Sequence, residues 1–367
     1  MKKRLSVGLL GAGEVAQLIH LPILHQLADR FDVVSLYDPS PSVVRAVAAH
    51  WSIPQAHTSL EAFLADSTLD AVMILSPDQY HEEHARAAFA AGLHVFLEKP
   101  ACLTDVQFAR LQKDFEATDR TGMVGYMRCY APAFRKAKGL LARFGNIRHV
   151  RVRDVICEGP WFFASWARVE VPQADIPPGL LSSGRQARHD AIVSVCGADA
   201  PASLLRGYEV LTGLGIHAFS AMRVLLGRPH RVVAAHIGAS GTEINIWFDY
   251  GTFIASYECL IDDVARFDSG IEIIGDTQRM DVRYDTPYIR NLPGRVIFQE
   301  TVGTENMNTE FGPYYQDPFQ AELIAFYEAI VNGTPLADEF SNAAHDLALC
   351  REIVAAARMN LPLPPGR

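Results

Sequence analysis

The chain has 367 residues, enough for two domains at roughly 100–200 residues each. With 49% hydrophobic and 20% charged residues, it has the composition of an ordinary soluble globular protein. A formal net charge of -9 with no basic block argues against a nucleic-acid partner, and no apolar run approaches the roughly 18 residues of a membrane span.

The N-terminal stretch MKKRLSVGLLGAG sets basic residues before apolar ones, as a signal peptide does. Gly8, Gly11 and Gly13 interrupt the apolar run, so residues 5–10 read instead as a short buried parallel strand. Gly11-Ala12-Gly13-Glu14-Val15-Ala16 follows and fits G-x-G-x-x-G/A, with a helical pattern over 14–27. Residues 33–38 form a second strand pattern ending in Asp38, about 20 residues after the loop. The first glycine permits a tight turn, the second lets backbone approach a pyrophosphate, and the small Ala16 lets helix pack on strand. The N–H groups that open the helix, around Glu14 and Val15, then face the phosphates. Asp38 is placed to accept hydrogen bonds from the adenosine ribose hydroxyls. Its charge repels a 2′-phosphate, so NAD is expected as cofactor ahead of NADP.

Helix patterns fit 41–50, 59–65, 80–91 and 104–118; strand patterns fit 70–77, 94–100 and 121–127. This alternation predicts an α/β fold with a doubly wound parallel sheet. His81 and His84, in HEEH, sit three apart on one helix. No carboxylate or cysteine is placed to complete a metal site and the order is not HExxH, so no metal is expected. The two read as surface or cofactor-edge histidines. The six cysteines (102, 129, 157, 196, 259 and 350) are scattered without a CxxC pair, which fits reduced thiols in a cytoplasmic protein.

Glu98-Lys99-Pro100 closes the strand pattern over 94–100. With SPDQYH (76–81), AAGLHVFLEKP (90–100) and GYMRCYAPAF (125–134), it resembles the Gfo/Idh/MocA family of oxidoreductases, densely over 5–150 and more weakly over 207–275 and 317–333. The resemblance implies an N-terminal Rossmann domain over 1–126 that binds a nicotinamide dinucleotide. It also implies a C-terminal α/β domain over 127–367 whose large, mostly antiparallel open sheet carries substrate. In the family that sheet often builds dimers, so a homodimer or homotetramer is expected. By the same resemblance Lys99 is catalytic beside the nicotinamide, Glu98 contacts its ribose, and Ser76, Pro77 and His81 line the cofactor. Tyr126 and Arg128 fall on the substrate side, and a cis Lys99–Pro100 bond would be in keeping with the family.

Chemistry supports Lys99 independently. Oxidising a sugar alcohol needs a hydride acceptor and a group to take the hydroxyl proton. A free lysine, with a pKa near 10.4, is a poor base at neutral pH. Burial beside a positively charged ring lowers it toward the working range. A lysine that stays charged can instead orient the hydroxyl and stabilise a developing alkoxide.

In the second half, 131–143 fits a helix and 147–156 a strand, with Arg151 and Arg153 on one face and Val150, Val152 and Ile156 on the other. The Arg face could meet a polar ligand or be a solvated sheet edge. Residues 158–205, punctuated by Pro160, Pro172, Pro177, Pro178, Gly179 and Gly184, read as irregular. Trp161, Trp166, Arg185, Arg188 and His189 are candidates there to touch substrate. Strand patterns follow at 230–237, 242–250, 252–260, 270–276 and 279–284, and two helices, at 318–332 and 342–358, close the chain.

The pattern over 211–226 is helical and carries His217. By the resemblance this helix usually holds D-x-x-x-H, with Asp and His one turn apart and aimed together at substrate. His217 fits the His, but position 213 is Gly. Three readings stay open. Lys99 and His217 suffice, with His217 mostly neutral at pH 7 for want of the acid; Glu209 or Asp190 stands in for it; or the site has been repurposed. The leading expectation is a dehydrogenase that interconverts a secondary alcohol and a ketone on a sugar, cyclitol or sugar derivative. The alternatives are an enzyme that oxidises transiently with tightly bound NAD, and a non-catalytic sugar or nucleotide sensor.

Overall fold

The computed structural model describes residues 3–359, which divide into two compact units. The first holds the residues up to Tyr126 together with Trp166–Ala191 and Glu322–Ala344. The second holds Met127–Ser165, Ile192–Ala321 and the residues from His345 onward. A contiguous cut at 126 therefore captures the largest piece of the first unit but not the two stretches that return to it.

In the first unit the chain runs β1 (Leu5–Leu10), α1 (Leu21–Gln26), β2 (Phe31–Tyr37), α2 (Pro41–Trp51), β3 (Gln55–His57) and α3 (Leu60–Leu64). It continues through β4 (Ala71–Ile74), α4 (His81–Ala90), β5 (His94–Leu97), α5 (Asp105–Glu116) and β6 (Gly122–Val124). The six strands are all parallel and ordered β3-β2-β1-β4-β5-β6, the doubly wound arrangement expected from the alternation. β1 and β4 are buried almost throughout, which explains their unbroken apolar runs. Helix starts follow side-chain capping: Ser40 accepts from Val43 N ahead of α2, and Thr104 and Gln107 form a capping box ahead of α5. Phe340, from the second returning stretch, packs on Phe89, Phe108 and Phe115.

The second part of the chain supplies α6 (Pro132–Leu140), β7 (Ile147–Cys157), α7 (Pro160–Phe163), α8 (Leu180–Cys196), α9 (Ala202–Val210) and α10 (Ile216–Leu226). Then come β8 (Arg231–Ile237), β9 (Glu243–Asp249), β10 (Ile254–Asp262), β11 (Phe267–Gly275), β12 (Gln278–Tyr284), β13 (Gly294–Val302) and β14 (Glu305–Tyr314), closed by α11 (Pro318–Asn332) and α12 (Ala343–Met359). The eight strands form one sheet, β14-β13-β12-β11-β7-β10-β9-β8, antiparallel except for the β7–β10 pair. Alternation sorts its faces. Val150, Val152, Ile246, Phe248, Tyr257 and Ile271 are buried on one face, while Arg151, Glu243, Asn245 and Trp247 point the other way and are exposed.

Two expectations change. Residues 158–205 are not irregular throughout: α7 and α8 lie within them and α9 begins there. Gly184 sits inside α8 because a Cβ there would run into the Tyr80 hydroxyl, so a residue that reads as a breaker is a packing requirement. Secondly, the run Ala202–Leu226 is by length and composition long and apolar enough to cross a bilayer. Most of it is buried within the second unit, where Phe219 packs on Phe248 and Tyr257, so it is a core helix.

Candidate functional site

In the first unit, the strand order reverses direction between β1 and β4, the place where doubly wound sheets form their ligand crevice. Gly11, which ends the β1 turn, has φ +109°. A Cβ on it would lie 2.8 Å from the backbone of Leu75 and Ser76, beyond the end of β4. Only glycine allows both that conformation and that approach. At Gly13 a Cβ would meet nothing within 4 Å, so the loop is open there. Ala12 N donates to Asp38 Oδ2 at 3.1 Å and Ser40 N to Asp38 Oδ1 at 2.9 Å, fixing the carboxylate at the end of β2. Burial, with a smaller push from the charge of Asp175, raises the Asp38 carboxyl above its ordinary value despite those two donors. Glycine turn, open loop and oriented acid fit the pyrophosphate and ribose of a nicotinamide dinucleotide.

Glu14 and Val15 begin a helix whose next turn, Ala16–His20, is π-helical. The wide turn brings His20, fully buried, to Glu98, with Nε2 2.8 Å from Oε1. The other Glu98 oxygen accepts the Lys99 backbone N–H at 3.0 Å. Burial alone would raise the Glu98 carboxyl, but the hydrogen bond and charge of His20, with the charge of Lys99, hold it below the usual carboxylate range. Glu98 is thus the brace that fixes the backbone of Lys99, beyond the C-terminal end of β5. His20 was not legible in the sequence: LIHLPIL reads as plain amphipathic helix, and its partner lies 78 residues away.

The Lys99–Pro100 peptide is cis. His81 is 2% exposed; its Nδ1 lies 2.6 Å from Pro100 O and its Nε2 2.8 Å from Ser76 O. It therefore ties the β4 loop, with Ser76 and Pro77, to the Lys99 turn. His84 is not a surface histidine: it is 7% exposed, stacks on Tyr80 and hydrogen-bonds Ser76 Oγ at 2.8 Å. Burial, helped by the nearby His81, lowers its pKa to about 4. Tyr126 is 1% exposed at the end of the sheet. Of the first returning stretch, Arg188 pairs with Asp78 at 3.0 Å. Trp166, Arg185 and His189 are exposed, and Asp190 is held by Gln186 at 2.8 Å.

In the second unit, a π-helical turn, Leu211–Gly215, immediately precedes α10 and His217. Such turns recur at functional sites because they re-aim side chains without ending a helix. His217 is 9% exposed, and a Cβ at Gly213 would meet nothing within 4 Å. The place of the expected acid is open space, not a filled gap. Glu209 lies before the π turn, on α9, paired with Arg206 at 3.0 Å.

Beneath α10, sequence reasoning missed a buried polar cluster. Asp154, fully buried on β7, accepts from Arg128 Nη2 at 2.8 Å, Ser269 Oγ at 2.6 Å and Tyr257 Oη at 3.1 Å. The Arg128 guanidinium also stands 4.9 Å over the Tyr284 ring. Arg128, expected on the substrate side, is therefore packed into the core with only 3% of its side chain exposed. Arg153 is corrected too. It lies on the sheet face opposite Val152 and Asp154, tied to Asp268 at 3.0 Å, and the sheet separates it from the helix of His217. Trp161, on α7, is 60% exposed. Within the second unit, the structure does not bring Arg128, Arg153 and His217 to one surface.

Residues 5–126 match a family described as an oxidoreductase family with an NAD-binding Rossmann fold. A D-xylose 1-dehydrogenase (NADP(+)) of Haloferax volcanii is 32% identical over 356 residues, 90% of this chain and 91% of that one. An inositol 2-dehydrogenase of Acidothermus cellulolyticus is 33% identical over 144 residues, 39% of this chain, and the match spans only 42% of that relative. Among solved structures, aldose-aldose oxidoreductase from Caulobacter crescentus, complexed with glycerol, superposes with a TM-score of 0.72 at 18% identity, covering 98% of this chain and 99% of its own. Agreement at that identity concerns the fold.

Proposed function

The chain belongs to the Gfo/Idh/MocA family of oxidoreductases, and from that premise we propose that it is a nicotinamide-dependent dehydrogenase acting on a secondary alcohol of a sugar, cyclitol or sugar derivative. The observation that carries the reading is Lys99, placed beyond the end of β5 in a doubly wound sheet and braced by the buried Glu98–His20 pair. Ligands of such sheets bind outside the carboxyl ends of the strands. The xylose and inositol dehydrogenases among the relatives favour a polyhydroxylated substrate.

When bound, the dinucleotide supplies the acceptor or donor of a hydride at nicotinamide C4. In the oxidising direction Lys99 takes the hydroxyl proton as the carbon–hydrogen bond gives up its electron pair. A charged Lys99 would instead hold the alkoxide until the proton leaves to water. His217 is the second proton-handling group, working with no carboxylate side chain at 213. Asp38 makes NAD the preferred cofactor. Six cysteines, all buried and none of them in a disulfide, fit a cytoplasmic enzyme. The exposed face of the eight-stranded sheet, with Trp247 59% exposed, is the surface on which a homodimer or homotetramer would form.

Incubating the protein with NAD+ and a panel of pentoses, hexoses, sugar phosphates, nucleotide sugars and inositols tests the reading. Steady formation of reduced nicotinamide with at least one polyol is expected. Turnover of a substrate with no net reduced nicotinamide would overturn the simple dehydrogenase.

A further inference from the structure

The stretch between β7 and α8 returns to the first unit at Trp166 and crosses its glycine loop and β2 turn. Gln17 anchors one end: its Nε2 donates to Ala12 O at 2.7 Å and to Glu170 O at 3.0 Å, and its Oε1 accepts from Glu170 N at 2.8 Å. Asp175 anchors the other. Its Oδ1 accepts from Ser40 Oγ and its Oδ2 from Ser42 N, both at 2.6 Å. Ser40 caps α2, and its backbone N–H binds Asp38. Two carboxylates from distant parts of the chain therefore share one serine.

The geometry is held against a backbone cost. Ala174, immediately before Asp175, has φ +59°, a left-handed conformation that favours glycine. A non-glycine residue stays there when its surroundings over-determine it, and the paired hydrogen bonds of Asp175 do so.

The donors that Asp175 takes are those a phosphate would take: a serine hydroxyl and a backbone N–H at the start of an eleven-residue helix. They lie beside the acid that orients the adenosine ribose. We propose that Asp175 is a cofactor-discriminating residue: its carboxylate occupies the place of a ribose 2′-phosphate and closes the site to NADP while leaving the hydroxyls of NAD to Asp38. Asp38 alone repels the 2′-phosphate; Asp175 also removes its donors and adds a second negative charge. This inference rests on the dinucleotide reading of the same crevice.

The test is equilibrium binding of NAD+ and NADP+ by the full chain, by calorimetry, for the wild type, Asp175→Ala and the near-isosteric Asp175→Asn, with 2′,5′-ADP and 5′-AMP as fragments lacking nicotinamide. Asp175→Ala is expected to bind NADP+ and 2′,5′-ADP about tenfold or more tightly than the wild type, the scale of freed charge-assisted hydrogen bonds, and Asp175→Asn, which loses the charge but still fills the place, by a smaller factor. NAD+ and 5′-AMP should change less than about threefold, by the same measure. If both variants bind NAD+ as the wild type does and their preference for it over NADP+ is unchanged, the assignment of Asp175 is overturned alone. If the wild type binds neither dinucleotide, the reading of the crevice falls and takes this inference with it.

Discussion

The brace behind Lys99 is the most exacting arrangement at the residue scale. Glu98 is 7% exposed and His20 fully buried, so each depends on the other to keep polar atoms satisfied. Removing one partner of such a buried pair costs about 3–5 kcal/mol. His20→Leu should lower the unfolding free energy by that order in denaturant melts, and should also weaken turnover by releasing the Lys99 backbone. His84 carries a pH signature. Its pKa falls from 6.5 to about 4, so between those values the unfolded chain binds a proton that the folded chain does not. Its contribution is fully present above pH 6.5 and is lost as pH falls toward 4, roughly 3 kcal/mol across the interval. Thermal melts at the two ends of that range should show a smaller acid loss in His84→Gln than in the wild type. The place of Lys99 beyond a strand end was legible in its motif; the partners that brace it were not, because contacts across 78 residues leave no periodicity to read.

At the scale of elements, local chemistry decides what the sequence discloses. The glycine loop was readable because its turn and spacing are local, although the strand end it approaches is not. Gly11→Ala should force either the φ +109° turn or the 2.8 Å approach to Leu75 and Ser76 to give way. Strain of about 1–3 kcal/mol then weakens NAD+ binding by about tenfold or more in a titration. The two π-helical turns carry no sequence signal, yet one brings His20 to Glu98 and the other leads into His217. β13 does alternate, with Val296 and Phe298 inward, but β14 is an exposed polar strand at the sheet's edge, with no apolar face to betray it. Asp154 shows the converse. A carboxylate at an inward position of β7 looks like a fault in the pattern, whereas it is the acceptor for three donors. Asp154→Ala would strand a buried guanidinium, and a loss of about 3–5 kcal/mol in denaturant unfolding is expected.

On the scale of the whole molecule, the alternation of strands and helices predicts the doubly wound parallel sheet, because handed crossovers and short connections leave few alternatives. It does not predict that 166–191 and 322–344 return to the first unit, since no composition shift marks them. The first return brings Asp175 to Ser40 and Ser42; the second covers Phe89, Phe108 and Phe115. The central claim is that this scaffold presents Lys99 as the proton-handling group of a nicotinamide-dependent oxidation. The most direct measurement compares kcat and the NAD+ dissociation constant of the wild type and Lys99→Ala on whichever polyol the substrate screen identifies. We expect kcat to fall by about 10²- to 10⁴-fold with NAD+ affinity nearly unchanged; a Lys99→Ala enzyme that turns over at the wild-type rate would contradict it.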